Sequence, residues 1–123
     1  MSGNATRPKV LVVEDEFLIR LTLVEALQDE GYAVVEAETG DAALAQAQGV
    51  SLLLTDIQLP GGMDGRVLAA RMREQAPDLP VIYMTGRPDQ AFEMASPLDA
   101  FIAKPYTLTD ICNAARRMLP QSV

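Results

Sequence analysis

The sequence predicts an α/β domain: a doubly wound, five-stranded parallel sheet with helices on both faces. Three observations carry this. Short apolar runs at residues 10–13, 32–37, 52–54, 81–84 and 100–103 alternate with segments of helical pattern. Most of these runs are continuously apolar rather than alternating, as strands covered on both faces require. Each closes on polar residues or turn formers, and right-handed crossovers would carry every strand's carboxyl end to one edge of the sheet.

Val10-Leu11-Val12-Val13 is β-branched and ends on Glu14-Asp15-Glu16. A helix is expected over 17–30, with Ile19, Thr22, Leu23, Ala26 and Leu27 as its buried stripe and Gly31 as its stop. Phe17, Leu21 and Val24 form a second apolar line on this helix, either a broad core face or a face for a partner. Residues 32–37 read as a strand, and an alanine-rich helix should run from Gly40 through about Gln48. Leu52-Leu53-Leu54-Thr55-Asp56 is the central buried strand, broken at Pro60, Gly61 and Gly62. The next helix, from Gly65 or Arg66 to Gln75, closes before Ala76-Pro77. Val81-Ile82-Tyr83-Met84 ends on Thr85-Gly86, and a brief helix at 90–95 should stop at Ser96-Pro97. Ala100-Phe101-Ile102-Ala103 ends on Lys104-Pro105. The last helix is capped by Thr107 or Thr109 and repeats Leu108, Ile111, Cys112, Ala115, Met118 and Leu119 at helical spacing.

With 123 residues, 49% of them hydrophobic and 22% charged, the chain fits one domain that needs no disulfide or structural metal. Residues 1–8 are expected to be a disordered tail and 9–121 the domain. The polar start followed by only four apolar residues is neither a signal peptide nor a membrane span. A net charge of −7 argues against direct nucleic-acid binding or an anionic membrane surface. The lone Cys112 reads as a small core residue and fits a reducing compartment, so a cytoplasmic location is expected. With no histidine, the chain lacks the usual general base, the commonest zinc ligand and any phosphohistidine of its own.

In a parallel sheet, Glu14, Asp15, Asp56, Thr85 and Lys104 should converge on one edge, where open α/β sheets bind ligands. Each has a plainer reading: Asp56 could start a turn, the acids after the first strand or Thr85 could cap a helix, and Lys104 could be a solvated lysine or a counterion. Together they make a chemical constellation. Packed carboxylates invite a divalent cation with oxygen ligands, and magnesium keeps waters that a phosphate can replace. A carboxylate attacks phosphorus only when a metal, an ammonium and a hydroxyl spread the charge on the phosphoryl oxygens. Here Asp56 would attack, with Lys104 and Thr85 holding the phosphoryl group.

The motifs Val12-Val13-Glu14-Asp15-Glu16, Leu54-Thr55-Asp56-Ile57, Met63-Asp64-Gly65, Tyr83-Met84-Thr85-Gly86 and Phe101-Ile102-Ala103-Lys104-Pro105 resemble those of response-regulator receiver domains, the phosphoacceptors of two-component signalling. The resemblance implies a flavodoxin-like strand order 2-1-3-4-5. It implies phosphorylation of Asp56 by a sensor histidine kinase or histidine phosphotransfer protein. Magnesium, or manganese, would be held by Asp15, Asp56 and the Gln58 carbonyl, with Glu14 acting through water. Thr85, Lys104 and the Gly86 amide would read the phosphoryl group, and Phe101 would be the switch aromatic that turns inward with Thr85. The line Phe17, Leu21 and Val24 falls where the family docks its kinase helices. Glu14 replaces a frequent aspartate, the loop at 60–63 is longer than usual, and the stretch from Thr85 to Lys104 is shorter, so the helix within it should be short or displaced.

Two other functions compete. A pure interaction module would not need Asp15, Asp56, Thr85 and Lys104 intact. A hydrolase with an aspartyl-phosphate intermediate, like the haloacid-dehalogenase phosphatases, would want an acid two residues after the nucleophile, where this chain has Gln58. The absence of an output segment suggests either a stand-alone receiver or a piece of a larger protein such as a hybrid kinase.

Overall fold

The computed structural model describes residues 7–87 and 96–119. The helix expected at 90–95, the first six residues of the expected tail and residues 120–121 lie outside them. Among the described residues nine elements follow in order: β1 (Lys9–Val13), α1 (Phe17–Asp29), β2 (Ala33–Ala37), α2 (Gly40–Leu44), β3 (Leu52–Asp56), α3 (Gly65–Arg73), β4 (Val81–Thr85), β5 (Asp99–Ala103) and α4 (Leu108–Met118). The strands form one parallel sheet in the order β2-β1-β3-β4-β5. Just before β1, the Pro8 carbonyl accepts a hydrogen bond from the Ala33 N–H at 3.0 Å, so the sheet's edge already holds the chain there.

Alternation of side chains explains why the strands are apolar throughout. Val10, Val12, Leu52, Leu54, Ile82 and Met84 point to one face and pack against Leu23 and Leu27 of α1 and Ile111, Ala114 and Ala115 of α4. Their neighbours Leu11, Val13, Leu53, Val81 and Tyr83 point to the other, against Ala43 of α2 and Leu68, Ala69 and Met72 of α3. Burying one such leucine or isoleucine contributes roughly 1.5–3 kcal/mol, so a one-residue slip that exchanged the faces would forfeit several of these terms at once. The register is thereby pinned: Val13 lies opposite both Ala37 and Thr55, Asp56 opposite Met84, and Thr85 opposite Ala103.

The helices depart from expectation in rotation and length. Val24 is only 7% exposed and belongs to the core, while Thr22, expected in the buried stripe, is exposed and donates its hydroxyl to the Ile19 carbonyl at 2.8 Å. The outward line of α1 is Phe17, Leu18 and Leu21 instead. α2 stops at Leu44 rather than near Gln48, and α3 stops at Arg73 rather than Gln75. β2 starts at Ala33, leaving Tyr32 to pack on the core from the turn. Thr107, not Thr109, caps α4 through a reciprocal capping box with Asp110. Leu108, counted among that helix's core positions, is 41% exposed at the first residue of the helix.

The junction of β3 and α3 is tight. The Gly65 N–H donates to the Ile57 carbonyl at 2.7 Å, and a Cβ at Gly65 would overlap the carbonyl oxygen of Asp56. Asp64 caps α3 by accepting from the Val67 N–H at 2.9 Å. Gly65→Ala is therefore expected to destabilise the protein by about 1–3 kcal/mol through forced backbone displacement, outweighing the roughly 1 kcal/mol that alanine gains in helix propensity. Urea denaturation of the two proteins checks this; an equal or higher midpoint for the variant contradicts it.

Candidate functional site

The carboxyl ends of the strands meet along one rim. β3 ends on Asp56, which is buried, and β1 runs directly into Glu14 and Asp15. A carboxylate oxygen from each of Glu14, Asp15 and Asp56 lies within 4.8 Å of the other two. Across the rim, Lys104 Nζ stands 2.5 Å from Asp56 Oδ1. The Lys104 N–H donates to the Thr85 carbonyl at 2.8 Å, so the ends of β4 and β5 are fastened together beside this ion pair. Gln58, Gly86, Asp15, Asp56, Thr85 and Lys104 line a common cleft of about 390 Å³.

Burial makes the acids unequal. Asp15 is exposed, whereas Glu14 is 1% exposed. Glu14 Oε2 accepts the Glu16 N–H at 2.9 Å, but Oε1 has no hydrogen-bond partner. The Glu14 carboxyl is accordingly pushed up to about 8, first by burial and then by the neighbouring Asp56 carboxylate, with the Glu16 amide pulling the other way. A buried, orphaned carboxyl oxygen among three converging oxygen donors is a donor set suited to a hard divalent cation. The helix-capping alternative for this trio is met only in part: Glu16 is the N-cap of α1 without a side-chain capping bond.

The remaining expected residues are all at the rim or just behind it. Thr85 is buried, and its hydroxyl oxygen accepts the Arg87 N–H at 2.9 Å. Gln58 and Gly86 are exposed in the cleft. Phe101 is half-buried and stacks on Tyr83, its register partner in β4, with ring centroids 5.0 Å apart at 17°. Tyr106 packs on the core, and burial plus the charges of Glu14 and Asp56 push its hydroxyl up to about 12.

Two contributors were not foreseen. Gly65 sits against the Asp56 backbone, a role visible in the sequence only as part of the Met63-Asp64-Gly65 motif. Arg20 donates to the Glu14 carbonyl at 2.7 Å, and a single arginine on a helix gives no sequence signal for such a contact. Chemically, the arrangement sets one carboxylate against an ammonium at the mouth of a cleft, with two further carboxyls and a hydroxyl at hand. It combines a carboxylate, a positive charge and oxygen donors suited to a cation, which is the chemistry that phosphoryl transfer draws on.

Residues 10–116 match a family profile described as response regulator receiver domain. The response regulator receiver protein CpdR of Brucella abortus (strain 2308) is 40% identical over 116 residues, which is 90% of this chain and 96% of that protein. The sensor kinase CckA of the same organism is 36% identical over 126 aligned positions, covering 97% of this chain but only 13% of the kinase. Among solved structures, the receiver domain of the hybrid histidine kinase CckA superposes with a TM-score of 0.78 at 28% identity, over 91% of this chain and 99% of that one. TrrA of Thermotoga maritima, solved with Mg2+ and BeF, gives 0.79 at 29% identity with the same coverage.

The raised Glu14 sets the direction of a pH effect in protein kept free of metal. Unfolded, Glu14 releases its proton near 4.5; folded, it keeps it to about 8, so the unfolded chain binds fewer protons between these values and stability falls as pH rises through them. Glu14→Gln is expected to flatten that fall, melting above the wild type at pH 8 in EDTA and converging with it toward pH 5. Thermal melts across this range test it; parallel curves for the two proteins contradict it.

Proposed function

The chain belongs to the response regulator receiver domain family, and from that premise we propose that Asp56 accepts a phosphoryl group from a phosphohistidine in a magnesium-dependent step that switches partner binding. As a receiver domain of two-component signalling it is a phosphoacceptor rather than a conventional enzyme. The observation that carries the specific reading is Asp56 itself: buried at the end of β3, it is joined to Lys104 at 2.5 Å and clustered with Glu14 and Asp15. These 123 residues include no histidine, so the donor phosphohistidine lies outside them.

In the proposed step an Asp56 carboxylate oxygen bonds to phosphorus while the P–N bond breaks. The bonding pair returns to the imidazole nitrogen, which then takes up a proton. Lys104 shifts its ammonium from Asp56 toward the phosphoryl oxygens, and the Thr85 hydroxyl and the Gly86 N–H donate to them. Asp15, Asp56 and the Gln58 carbonyl are the proposed ligands of magnesium or manganese, with Glu14 beside them. Bound there, the cation neutralises charge on the transferring group. Drawing Thr85 toward the phosphoryl group would break its bond to the Arg87 N–H, and Phe101 would turn inward as that loop moves. Such a switch requires the phosphoryl group to favour one loop arrangement over the other.

The kinase or phosphotransfer protein is proposed to dock near Phe17 and Leu21. With Val24 in the core, the apolar surface on offer comes from Phe17 and Leu18, 60% and 71% exposed, with Leu21. An amphipathic partner helix would be read by such anchors. CpdR represents a receiver of similar length, and CckA a receiver inside a kinase; this chain is proposed to work in a phosphorelay of either plan, with residues 9–121 as the domain. Among the described residues no helix is long and apolar enough to cross a membrane, which supports the proposed cytoplasmic setting.

Incubation with acetyl phosphate and Mg2+ followed by intact mass measurement should reveal one added phosphoryl group, absent in Asp56→Asn and suppressed by EDTA. An unmodified wild-type protein would instead favour a domain that binds partners without being phosphorylated. Because Gln58 and Arg87 flank the approach of an attacking water, Gln58→Ala and Arg87→Ala are expected to change the rate at which the label is lost. Decay curves that overlay the wild type for both variants would remove that role.

A further inference from the structure

Arg20 lies in the first turns of α1 with its side chain only 12% exposed, and its contacts converge on the approach to the acid cluster. Nη1 donates to the Glu14 carbonyl oxygen at 2.7 Å, and Nε donates to Glu36 Oε1 at 2.8 Å. Cζ lies 5.6 Å from the centroid of the Phe17 ring. The Glu14 backbone has left the β1 ladder at this point: its N–H is still held by the Ala37 carbonyl at 3.1 Å, while its carbonyl is turned to Arg20. That carbonyl shares a planar peptide unit with the Asp15 nitrogen, so holding it fixes the plane from which Asp15 departs. One end of Glu14 is thus fixed by β2 and the other by α1.

We propose that Arg20 is a positioning residue for the divalent cation, holding the peptide between Glu14 and Asp15 in the turn that brings both carboxyls beside Asp56. This rests on reading the acid cluster as the cation site. Two effects of the guanidinium oppose each other there. As a positive charge it repels a cation, so Coulomb energy alone makes its removal tighten binding. As a clamp on the ligand-bearing backbone it reduces the ordering that binding demands, so its removal weakens binding. The charge is already matched by Glu36 and the carbonyl contact is short, so the clamp dominates.

The test is calorimetric titration of the full chain with Mg2+ in the wild type, Arg20→Met, Arg20→Lys and Glu36→Gln, with circular dichroism as the check on folding. Arg20→Met is expected to bind Mg2+ about tenfold more weakly, the lower end of what outer-shell substitutions cost metal sites. Saturating Mg2+ should restore its labelling by acetyl phosphate to the wild-type rate. Glu36→Gln, which leaves the carbonyl clamp in place, should stay within about threefold of the wild type, less than an outer-shell loss. Equal or tighter binding by Arg20→Met overturns the proposal, as does a loss in Glu36→Gln as large as that in Arg20→Met. Should Arg20→Met fail to fold, Arg20→Lys decides: it keeps the charge but not the fork, so weaker binding supports the clamp and unchanged binding overturns it. Absence of Mg2+ binding by the wild type would overturn the reading of the cation site as well, which separates the two failures.

Discussion

Like charges crowded at one rim are the constraint that the rest of the site answers to. Glu14, Asp15 and Asp56 bring carboxylate oxygens within 4.8 Å of one another, at a place where two of the three side chains are nearly out of water. Coulomb repulsion at that separation amounts to a few kcal/mol per pair at the effective dielectric near a protein surface. The protein relieves it in three ways. Lys104 neutralises Asp56 directly, Glu14 keeps its proton because burial raises its carboxyl to about 8, and Asp15 stays exposed to solvent. Each of these is incomplete. Glu14 Oε1 remains without a partner, and the stability that the cluster removes is supplied elsewhere.

It is supplied by the sheet. Apolar strands packed on both faces make the two core layers, and the register they impose is what brings residues from distant parts of the chain to one edge. The edge strand β5 is the least buried part of this frame, and Arg73 secures it at its start. From α3, Arg73 donates to the Leu79 carbonyl, the Leu98 carbonyl and Asp99 Oδ1 at 2.9, 3.2 and 2.8 Å, tying the approach to β4 to the first residue of β5. Lys104 stands at the other end of that strand. A slip of β5 against β4 would move Lys104 away from Asp56 and separate Phe101 from Tyr83, so the clamp at one end preserves the chemistry at the other.

What could be read from the sequence divides along the same line. Strand interiors were legible because continuous apolar runs leave one solution, and the residues at their ends followed from topology: Asp15, Asp56, Thr85 and Lys104 all stand at the rim. Helix rotation was not legible for α1, because Phe17, Leu18, Ile19, Leu21, Leu23 and Val24 surround most of its circumference and no stripe is singled out. That is why Thr22 was counted in the buried stripe, and why the line through Val24 could be read either as core or as a partner face until its burial showed that Val24 belongs to the core. Helix ends were misjudged where alanine propensity at 45–48 favoured continuation but the chain had to turn back toward β3. Arg20 escaped notice for a different reason: it acts on a backbone carbonyl, and a carbonyl leaves no mark in the sequence.

The residue two positions after Asp56 separates a signalling role from a hydrolytic one. An acyl phosphate formed on Asp56 would be cleaved quickly only if a neighbouring group took a proton from the attacking water. Gln58 stands at that position, exposed in the cleft, and an amide side chain has no proton affinity to offer at neutral pH. The proposed chemistry therefore favours formation of the acyl phosphate, through charge neutralisation by Lys104 and a cation, over its breakdown, which those same charges assist less without a base. A site with that imbalance holds its product for a time, and a held phosphoryl group can act as a signal.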